Sequence, residues 1–178
     1  GTNRDRKYPL GMAVRGYYRS PRHEDPWIES HLDIVDRSGA HVPGYGWIFP
    51  LGDGRVNVGV GLLSTFSGWK DINTSKLMET FVDVAPSYWG LSADTAEGPV
   101  TGGKLPTGGS VTPNVGPNWI VAGDAAGIVA PASGEGIYYA MVGGRMVAEA
   151  SAAFLKTGEA KQLRIARKRF MKEHGRVF

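Results

Sequence analysis

Residues 123–145 read GDAAGIVAPASGEGIYYAMVGGR, and this stretch decides the fold. The apolar run 119–122 leads directly into Gly123 and Asp124, which predicts a short strand that ends on a carboxylate. Gly134-Glu135-Gly136 then predicts a helix over about 135–155. An ionised aspartate only accepts hydrogen bonds, and a helix N-terminus favours negative charge. The layout therefore suits a ligand with a sugar hydroxyl and a ring that gains negative charge, unless Asp124 merely caps the turn.

Composition excludes several classes of site. The 178 residues include no cysteine, which excludes disulfides and thiolate metal ligation. The four histidines, His23, His31, His41 and His174, show no metal-ligand spacing, so we expect no metal. No apolar run reaches the roughly 18 residues of a membrane span, and the N-terminus lacks the apolar core of a signal peptide. We expect a cytoplasmic protein, either soluble or peripheral on the inner face of the cell membrane.

Charge is concentrated at the C-terminus. Residues 156–178 carry eight Lys or Arg and two Glu, a net charge of +6, whereas residues 1–155 carry a net −3. A basic tail can indicate nucleic-acid binding or simply a solvated helix face. No recognition motif accompanies it, so we predict no nucleic-acid partner.

The first hundred residues predict an antiparallel sheet with one helix. Strands are expected at 12–19 and 31–35, and the alternating segments 44–50 and 55–63 predict a hairpin around Gly52 and Gly54. Thr74 or Ser75 is expected to cap a helix that ends near Val84. Its apolar face would consist of Leu77, Met78, Phe81 and Val82.

Residues 98–117 are rich in Gly, Pro and Thr and predict a long connection, with at most a short strand near 104–105. Beyond them we expect the strand 119–122 and two helices over about 135–155 and 159–174, with a turn at Thr157-Gly158. The predicted domains are 1–105, a substrate-binding antiparallel sheet with a helix, and 106–178, a strand-helix-helix segment. The fold class is therefore α+β.

GDAAG, six further residues, then GEGIYYAM and GGR resemble the second FAD-binding signature of glutathione-reductase-type flavoproteins, and above all of the geranylgeranyl reductase family. The resemblance implies FAD as cofactor. It implies that Asp124 contacts the ribityl–pyrophosphate part and that the turn and helix around Glu135 lie against the isoalloxazine ring. The residues carried over are Gly123, Asp124, Ala125, Gly127, Pro131, Gly134, Glu135, Gly136 and Ile137.

PGYGWIFP, residues 43–50, resembles that family's Tyr-x-Trp-x-Phe-Pro signature, which implies an isoprenoid-binding wall. Tyr45, Trp47 and Phe49 share one face because side chains alternate along a strand. The alternative is a sheet face packed on its own core. Asn57, Gly59 and Gly61 resemble the family's Asn-Val-Gly-x-Gly continuation.

Residues 12–120 are most similar to actinobacterial reductases that saturate the isoprenoid tail of menaquinone, and 121–178 to bacterial chlorophyll-type geranylgeranyl reductases. Such enzymes open with a G-x-G-x-x-G turn, and none of the glycines here has that spacing. We therefore expect a fragment of a longer enzyme, holding the C-terminal part of an FAD domain and inactive by itself.

The resemblance implies a flavin-dependent reductase that saturates C=C bonds of a polyprenyl lipid or quinone. The electron donor does not follow from the sequence and stays open between NADPH and a reduced carrier. The proton donor stays open among Tyr45, His41, Glu135 and Tyr138. The alternatives are a flavin-dependent aromatic hydroxylase and a non-catalytic lipid-binding module. Docking on anionic lipid would use the C-terminal residues Lys161, Arg164, Arg167, Lys168, Arg169 and Lys172, with Leu163, Phe170 and Met171. The oligomeric state does not follow from the sequence.

Overall fold

Residues 2–178 are described in this computed structural model and contain seven strands and three α-helices. The strands are β1 (Asn3–Arg4), β2 (Leu10–Arg19), β3 (Glu29–His31), β4 (Gly44–Pro50), β5 (Arg55–Leu63), β6 (Ala96–Pro106) and β7 (Val111–Thr112), and the helices are α1 (Thr74–Val84), α2 (Ile137–Thr157) and α3 (Lys161–His174). One sheet has the order β3-β4-β5-β2-β6, and β1 pairs with β7. The predicted α+β class is confirmed. Among the described helices, none has the length and apolarity needed to cross a membrane.

The chain divides into two compact units, Met12–Lys104 and Gly1–Gly11 with Leu105–Phe178. The boundary at 104/105 lies beside the predicted one, but the first eleven residues group with the C-terminal segment instead of with the sheet. The reason is strand pairing: β1 lies antiparallel to β7, with Asn3 opposite Thr112. The backbone N–H of Asp5 also donates to the carbonyl of Ser110 at 2.7 Å.

The β4–β5 hairpin forms as predicted. Its antiparallel register places Tyr45 opposite Gly61, Trp47 opposite Gly59 and Phe49 opposite Asn57. The loop closes where the Leu51 N–H donates to the Arg55 carbonyl at 3.0 Å. Gly52 and Gly54 take φ values of 80° and 93°, which side chains other than glycine rarely tolerate.

Helix α1 packs on one face of this sheet. Leu77, Met78 and Phe81 are each at most 3% exposed, so the predicted apolar face is confirmed. The cap is Asn73, one residue before the predicted position, and its side chain accepts from the Lys76 N–H at 3.1 Å. Gly46 lets the helix approach, because a Cβ there would lie 2.5 Å from the Phe81 ring.

The predicted strand at 31–35 is wrong, since strand β3 covers Glu29–His31 instead. A tight turn follows, in which the Asp36 carboxylate accepts from the N–H groups of Ser38 and Ala40. A hydrogen bond from the Ser38 hydroxyl, together with these two backbone hydrogen bonds, holds the pKa of Asp36 below its ordinary value. Because the turn reverses the chain at once, Val35 pairs only with His41, through a single bridge.

The predicted long connection at 98–117 is also wrong in its first half, because β6 is an eleven-residue strand. It lies at the edge of the sheet, and its first nine residues are exposed. An edge position tolerates Pro99 and the glycines, since one side of an edge strand needs no hydrogen-bonding partner in the sheet.

The second unit is built around α2 and α3, which pack on each other through Met146, Ala166 and Phe170, each at most 3% exposed. Gly158 ends α2 with a φ of 69°, and its N–H donates to the Phe154 carbonyl at 2.7 Å, as the sequence predicted. The predicted strand at 119–122 does not form. Within residues 2–178 it has only the single bridge Val115–Ile120, and a strand needs a partner along its length.

Candidate functional site

The GDAAG segment forms a short 3-10 turn, Gly123–Ala126, instead of the end of a strand. The turn closes at Gly127, whose φ is 70° and whose N–H donates to the Asp124 carbonyl at 2.9 Å. Gly127 also lies where a Cβ would come within 3.0 Å of the backbone N–H groups of Ser110 and Val111. Asp124 and Ala125 are thereby presented on the exposed side of the turn.

A second backbone segment supports this turn and was missed by the sequence analysis. Thr107 forms a parallel bridge with Val129, and the N–H groups of Gly108 and Gly109 donate to the carbonyls of Val129 and Gly127 at 3.1 and 2.9 Å. Both glycines have φ values near 70°. The Gly108-Gly109 pair in the sequence could have indicated this segment. Adjacent glycines often mark a turn whose backbone conformation other residues rarely adopt.

Helix α2 begins next to Asp124. Its first residue is Ile137, preceded by Gly136, and no side chain caps the helix. The N–H groups of the first turn therefore have no side-chain capping acceptor. A Cβ on Gly136 would lie 3.1 Å from the Asp124 Oδ1, so the missing side chain lets the carboxylate approach the helix start.

A hydrogen-bonded turn leads into the helix. Ala130 accepts from the Gly134 N–H at 2.9 Å, and the Ala130 N–H donates to the Glu135 carbonyl at 2.9 Å. Gly134 takes a φ of 69°. Glu135 consequently stands before the helix, not within its first turn as the predicted boundary implied.

The nine residues predicted to hold a cofactor thus lie on one continuous segment of the second unit. Asp124, Ala125 and Glu135 are exposed, and Ile137 is 79% exposed. The combination of an uncapped helix start, a facing carboxylate and glycines in place of side chains fits the ribityl–pyrophosphate and ring portions of a flavin dinucleotide. We refer to Gly123–Ala126 with residues 127–137 as the GDAAG–helix surface.

In the sheet unit, Tyr45, Trp47 and Phe49 form a continuous aromatic row on β4. The ring centroids of Tyr45 and Trp47 are 5.6 Å apart, and those of Trp47 and Phe49 are 6.1 Å apart. Indole Nε1 of Trp47 donates to Oδ1 of Asn57 at 2.8 Å. A Cβ on Gly59 would lie 2.1 Å from the indole, so the ring lies flat across the neighbouring strand. We call this side of the sheet the aromatic face.

The aromatic face is not the side that packs on α1. The buried cluster around α1 takes Ile48 from β4 and Val56, Val58 and Val60 from β5, which alternate with the aromatic row and with Asn57 and Gly59. Trp47 is 9% exposed, whereas Tyr45 and Phe49 are half-buried. Within the sheet unit, the two sides therefore have different compositions: aliphatic against the helix and aromatic opposite it.

Burial raises the pKa of the Tyr45 phenol above its ordinary value of 10.0, so this side chain stays protonated at neutral pH. His41 and Glu135 are exposed, and Tyr138 is 50% exposed. Of the four candidate proton donors, Tyr45 is the one on the aromatic face. Among residues 2–178, no three His, Asp or Glu side chains come together as a metal site would require.

Curated proteins with sequence similarity are named for reductions of isoprenoid compounds. The chain is 45% identical over 144 residues to the menaquinone reductase of Mycolicibacterium smegmatis, which covers 81% of this chain and 35% of that protein. It is 36% identical over 172 residues to the geranylgeranyl diphosphate reductase of Rhodobacter capsulatus, covering 97% of this chain and 41% of that protein. The chain thus spans well under half the length of these relatives. No family model matches.

Solved structures show the same fold. A geranylgeranyl bacteriochlorophyll reductase-like protein from Thermoplasma acidophilum aligns over 97% of this chain and 41% of its own, with a TM-score of 0.72 and 19% identity. A flavoprotein/dehydrogenase from Cytophaga hutchinsonii aligns over 96% of this chain and 40% of its own, with a TM-score of 0.63 and 14% identity. The sequence identities and the shared fold agree: this chain is a homologue of one segment of proteins named menaquinone reductase and geranylgeranyl diphosphate reductase.

Proposed function

We propose that these residues form the substrate-binding sheet and the C-terminal flavin-binding segment of an FAD-dependent reductase that saturates C=C bonds of a polyprenyl chain. The observation that carries the proposal is the aromatic row Tyr45-Trp47-Phe49, flattened against Gly59 and separate from the aliphatic core. The identity to proteins named menaquinone and geranylgeranyl diphosphate reductase supports the substrate class.

The GDAAG–helix surface supports the cofactor part of the proposal. Asp124 would accept from ribityl hydroxyls, and the uncapped start of α2 would favour negative charge on the ring. When bound, the flavin supplies the hydride that reduces the double bond. The protein supplies orientation, and Tyr45 supplies a phenol that remains protonated and can provide the second hydrogen as a proton.

The aromatic face supports an apolar substrate more than a polar one. The three neighbouring rings on one strand offer a wide apolar surface to a long hydrocarbon, and the Trp47 N–H is already satisfied by Asn57. This favours an isoprenoid over the phenolic ring that an aromatic hydroxylase would orient. The other alternative, a lipid-binding module without catalysis, is compatible with the same aromatic face. It differs from the proposed enzyme only in that the bound lipid is not reduced.

Peripheral membrane docking is part of the proposal, but the apolar side chains that support it differ from those expected from the sequence. Leu163 and Phe170 are each 2% exposed and so unavailable to lipid, whereas Met171 is 36% exposed on α3 among the basic side chains. In the sheet unit, Trp27, Ile28 and Leu32 flank β3 and are 73%, 71% and 81% exposed. These three side chains form an apolar patch of the sheet unit that could insert into a lipid surface.

The test uses the complete gene product that contains these residues. Its visible spectrum should show bound oxidised flavin, which bleaches under anaerobic reduction and recovers on addition of a polyprenyl substrate. Trp47→Ala should slow this recovery while leaving the flavin content unchanged, and Tyr88→Ala, which alters a 50% exposed tyrosine outside the aromatic row, serves as the control. A protein that neither contains nor takes up flavin would leave the lipid-binding module, and an oxygen-dependent hydroxylated product would indicate the hydroxylase.

A further inference from the structure

The aromatic face extends onto β2, where it becomes basic. Val14 and Tyr18 of β2 belong to the buried cluster around α1, together with Val56 and Val58 of β5. Side chains alternate along a strand, so Arg15 and Tyr17 project from the opposite side, which is the aromatic face. Arg55 also lies on this side, because its side chain stacks on the Tyr17 ring.

Two guanidinium groups contact the Tyr17 ring. Cζ of Arg15 lies 4.4 Å from the ring centroid and Cζ of Arg55 lies 5.2 Å from it. All three residues are half-buried. The Tyr17 ring therefore holds both guanidinium groups through cation–π contacts.

Among the arginines of the sheet unit, Arg15 differs from the others in having no carboxylate partner within the described residues. Residues 12–104 contain five arginines. Four of these pair with a carboxylate: Arg19 with Glu97, Arg22 with Asp25, Arg37 with Glu79 and Arg55 with Asp53. Among the described residues, Arg15 has no ion-pair partner and contacts the Tyr17 ring instead.

The aromatic face is consequently polar at one end and apolar along its length. The register places Phe49 opposite Asn57, two residues from Arg55, so the cations lie toward the Phe49 end of the row. Toward Tyr45 the face continues over Gly59 and Gly61 with no charged side chain on β4 or β5. A ligand with an anionic head and a long apolar tail matches this order.

We propose that Arg15, held on Tyr17 beside Arg55, binds the phosphate group at the head of the polyprenyl substrate, while the aromatic row holds its tail. This inference rests on the proposed function. Guanidinium groups bind phosphate oxygens through paired hydrogen bonds, which favours a phosphate over the neutral carbonyl of a quinone. The phosphate can belong to a polyprenyl diphosphate or to a prenylated glycerophospholipid.

The test measures binding of geranylgeranyl diphosphate and of geranylgeraniol to the complete gene product, by quenching of tryptophan fluorescence. Arg15→Met should weaken binding of the diphosphate about 10- to 100-fold and leave binding of the alcohol unchanged. Arg15→Lys should recover part of the loss. The control, Arg37→Met, removes a surface cation that is paired with Glu79 and should change neither ligand.

Each outcome separates the two proposals. Equal weakening of the diphosphate and the alcohol, no weakening of either, or loss of flavin from Arg15→Met would overturn the assignment of Arg15 and leave the proposed function standing. A wild-type protein that binds neither ligand would overturn both. A digeranylgeranylglycerophospholipid is then added as a competitor of the bound diphosphate. If it competes in the wild type and less well in Arg15→Met, the phospholipid is the source of the phosphate. If its competition does not depend on Arg15, the diphosphate is the source.

Discussion

Trp47 and Asn57 are joined across neighbouring strands by a hydrogen bond from the indole Nε1 to the amide Oδ1, 2.8 Å long. The bond fixes the indole plane over Gly59, where no Cβ interrupts the contact. One polar pair and one glycine therefore set the shape of the aromatic face.

Asn57→Leu should destabilise the sheet unit by about 1–3 kcal/mol, because the buried indole N–H loses its acceptor. Urea unfolding measures the change. In a Trp47→Phe background the same substitution should cost much less, since Phe has no N–H to leave unpaired. Equal costs in both backgrounds would mean that Asn57 acts independently of Trp47.

Gly59→Ala should displace the Trp47 ring, because the new Cβ would lie 2.1 Å from the indole. We expect a loss of about 1–3 kcal/mol in the free energy of unfolding and an altered near-UV circular dichroism spectrum. Gly46→Ala is the matched control. It places a Cβ 2.5 Å from Phe81 on the other side of the sheet, and so should destabilise similarly while leaving the tryptophan environment unchanged.

Asp124→Ala in the complete gene product should abolish bound flavin while unfolding of the sheet unit stays at the wild-type urea concentration. The carboxylate faces the start of α2 against Gly136, and removing it deletes the acceptor without touching a buried residue. Asp33→Ala, another exposed aspartate, serves as the control and should keep its flavin. Full flavin content in Asp124→Ala would refute the role given to this residue.

Alkaline pH should reveal the buried Tyr45 phenol. Because burial raises its pKa above 10.0, the unfolded chain releases this proton at a lower pH than the folded protein does. The folded state then binds more protons, so its stability decreases as the pH rises through 10. The urea concentration at the unfolding midpoint should fall between pH 8 and pH 11 in the wild type. In Tyr45→Phe this fall should be smaller. Burial raises the pKa of Tyr18 too, so Tyr18→Phe should recover a separate part of the loss.

Substituting the exposed apolar side chains beside β3 should reduce binding to lipid vesicles. We expect the double variant Trp27→Ser, Leu32→Ser to sediment less with phosphatidylglycerol vesicles than wild type, because both side chains are more than 70% exposed and available for insertion. Exchange of the exposed Val84, which is 59% exposed on α1, is the control. Unchanged sedimentation would show that this edge does not meet lipid.

The sequence was informative where one local rule decided the outcome. The β4–β5 hairpin follows from alternation and two turn glycines, and the end of α2 follows from Gly158. The sequence misled where strand formation depends on pairing with residues far away along the chain. Residues 119–122 have strand composition but lack a partner along their length among residues 2–178, whereas β6 forms despite its glycines and Pro99 because β2 lies beside it.

The candidate sites show the same division. Asp124 and the aromatic row could be named from motifs, because each lies on one contiguous stretch. Arg15 could not, since its significance depends on the Tyr17 ring that holds it and on the acids that pair with every other arginine of the sheet unit. The support that Thr107–Gly109 gives to the GDAAG turn likewise joins segments some twenty residues apart.

Strand β6 also bears on how the protein behaves at high concentration. Its nine exposed residues at the sheet edge offer a template on which a second chain can add a strand. Pro99 removes one donor from that edge, Gly98 turns the backbone to a φ of 77°, and Lys104 adds charge. Gly98 and Pro99, which hid this strand from sequence analysis, therefore act with Lys104 to protect the sheet against edge-to-edge aggregation. We expect replacement of Pro99 and Lys104 with Val to lower solubility before it lowers stability.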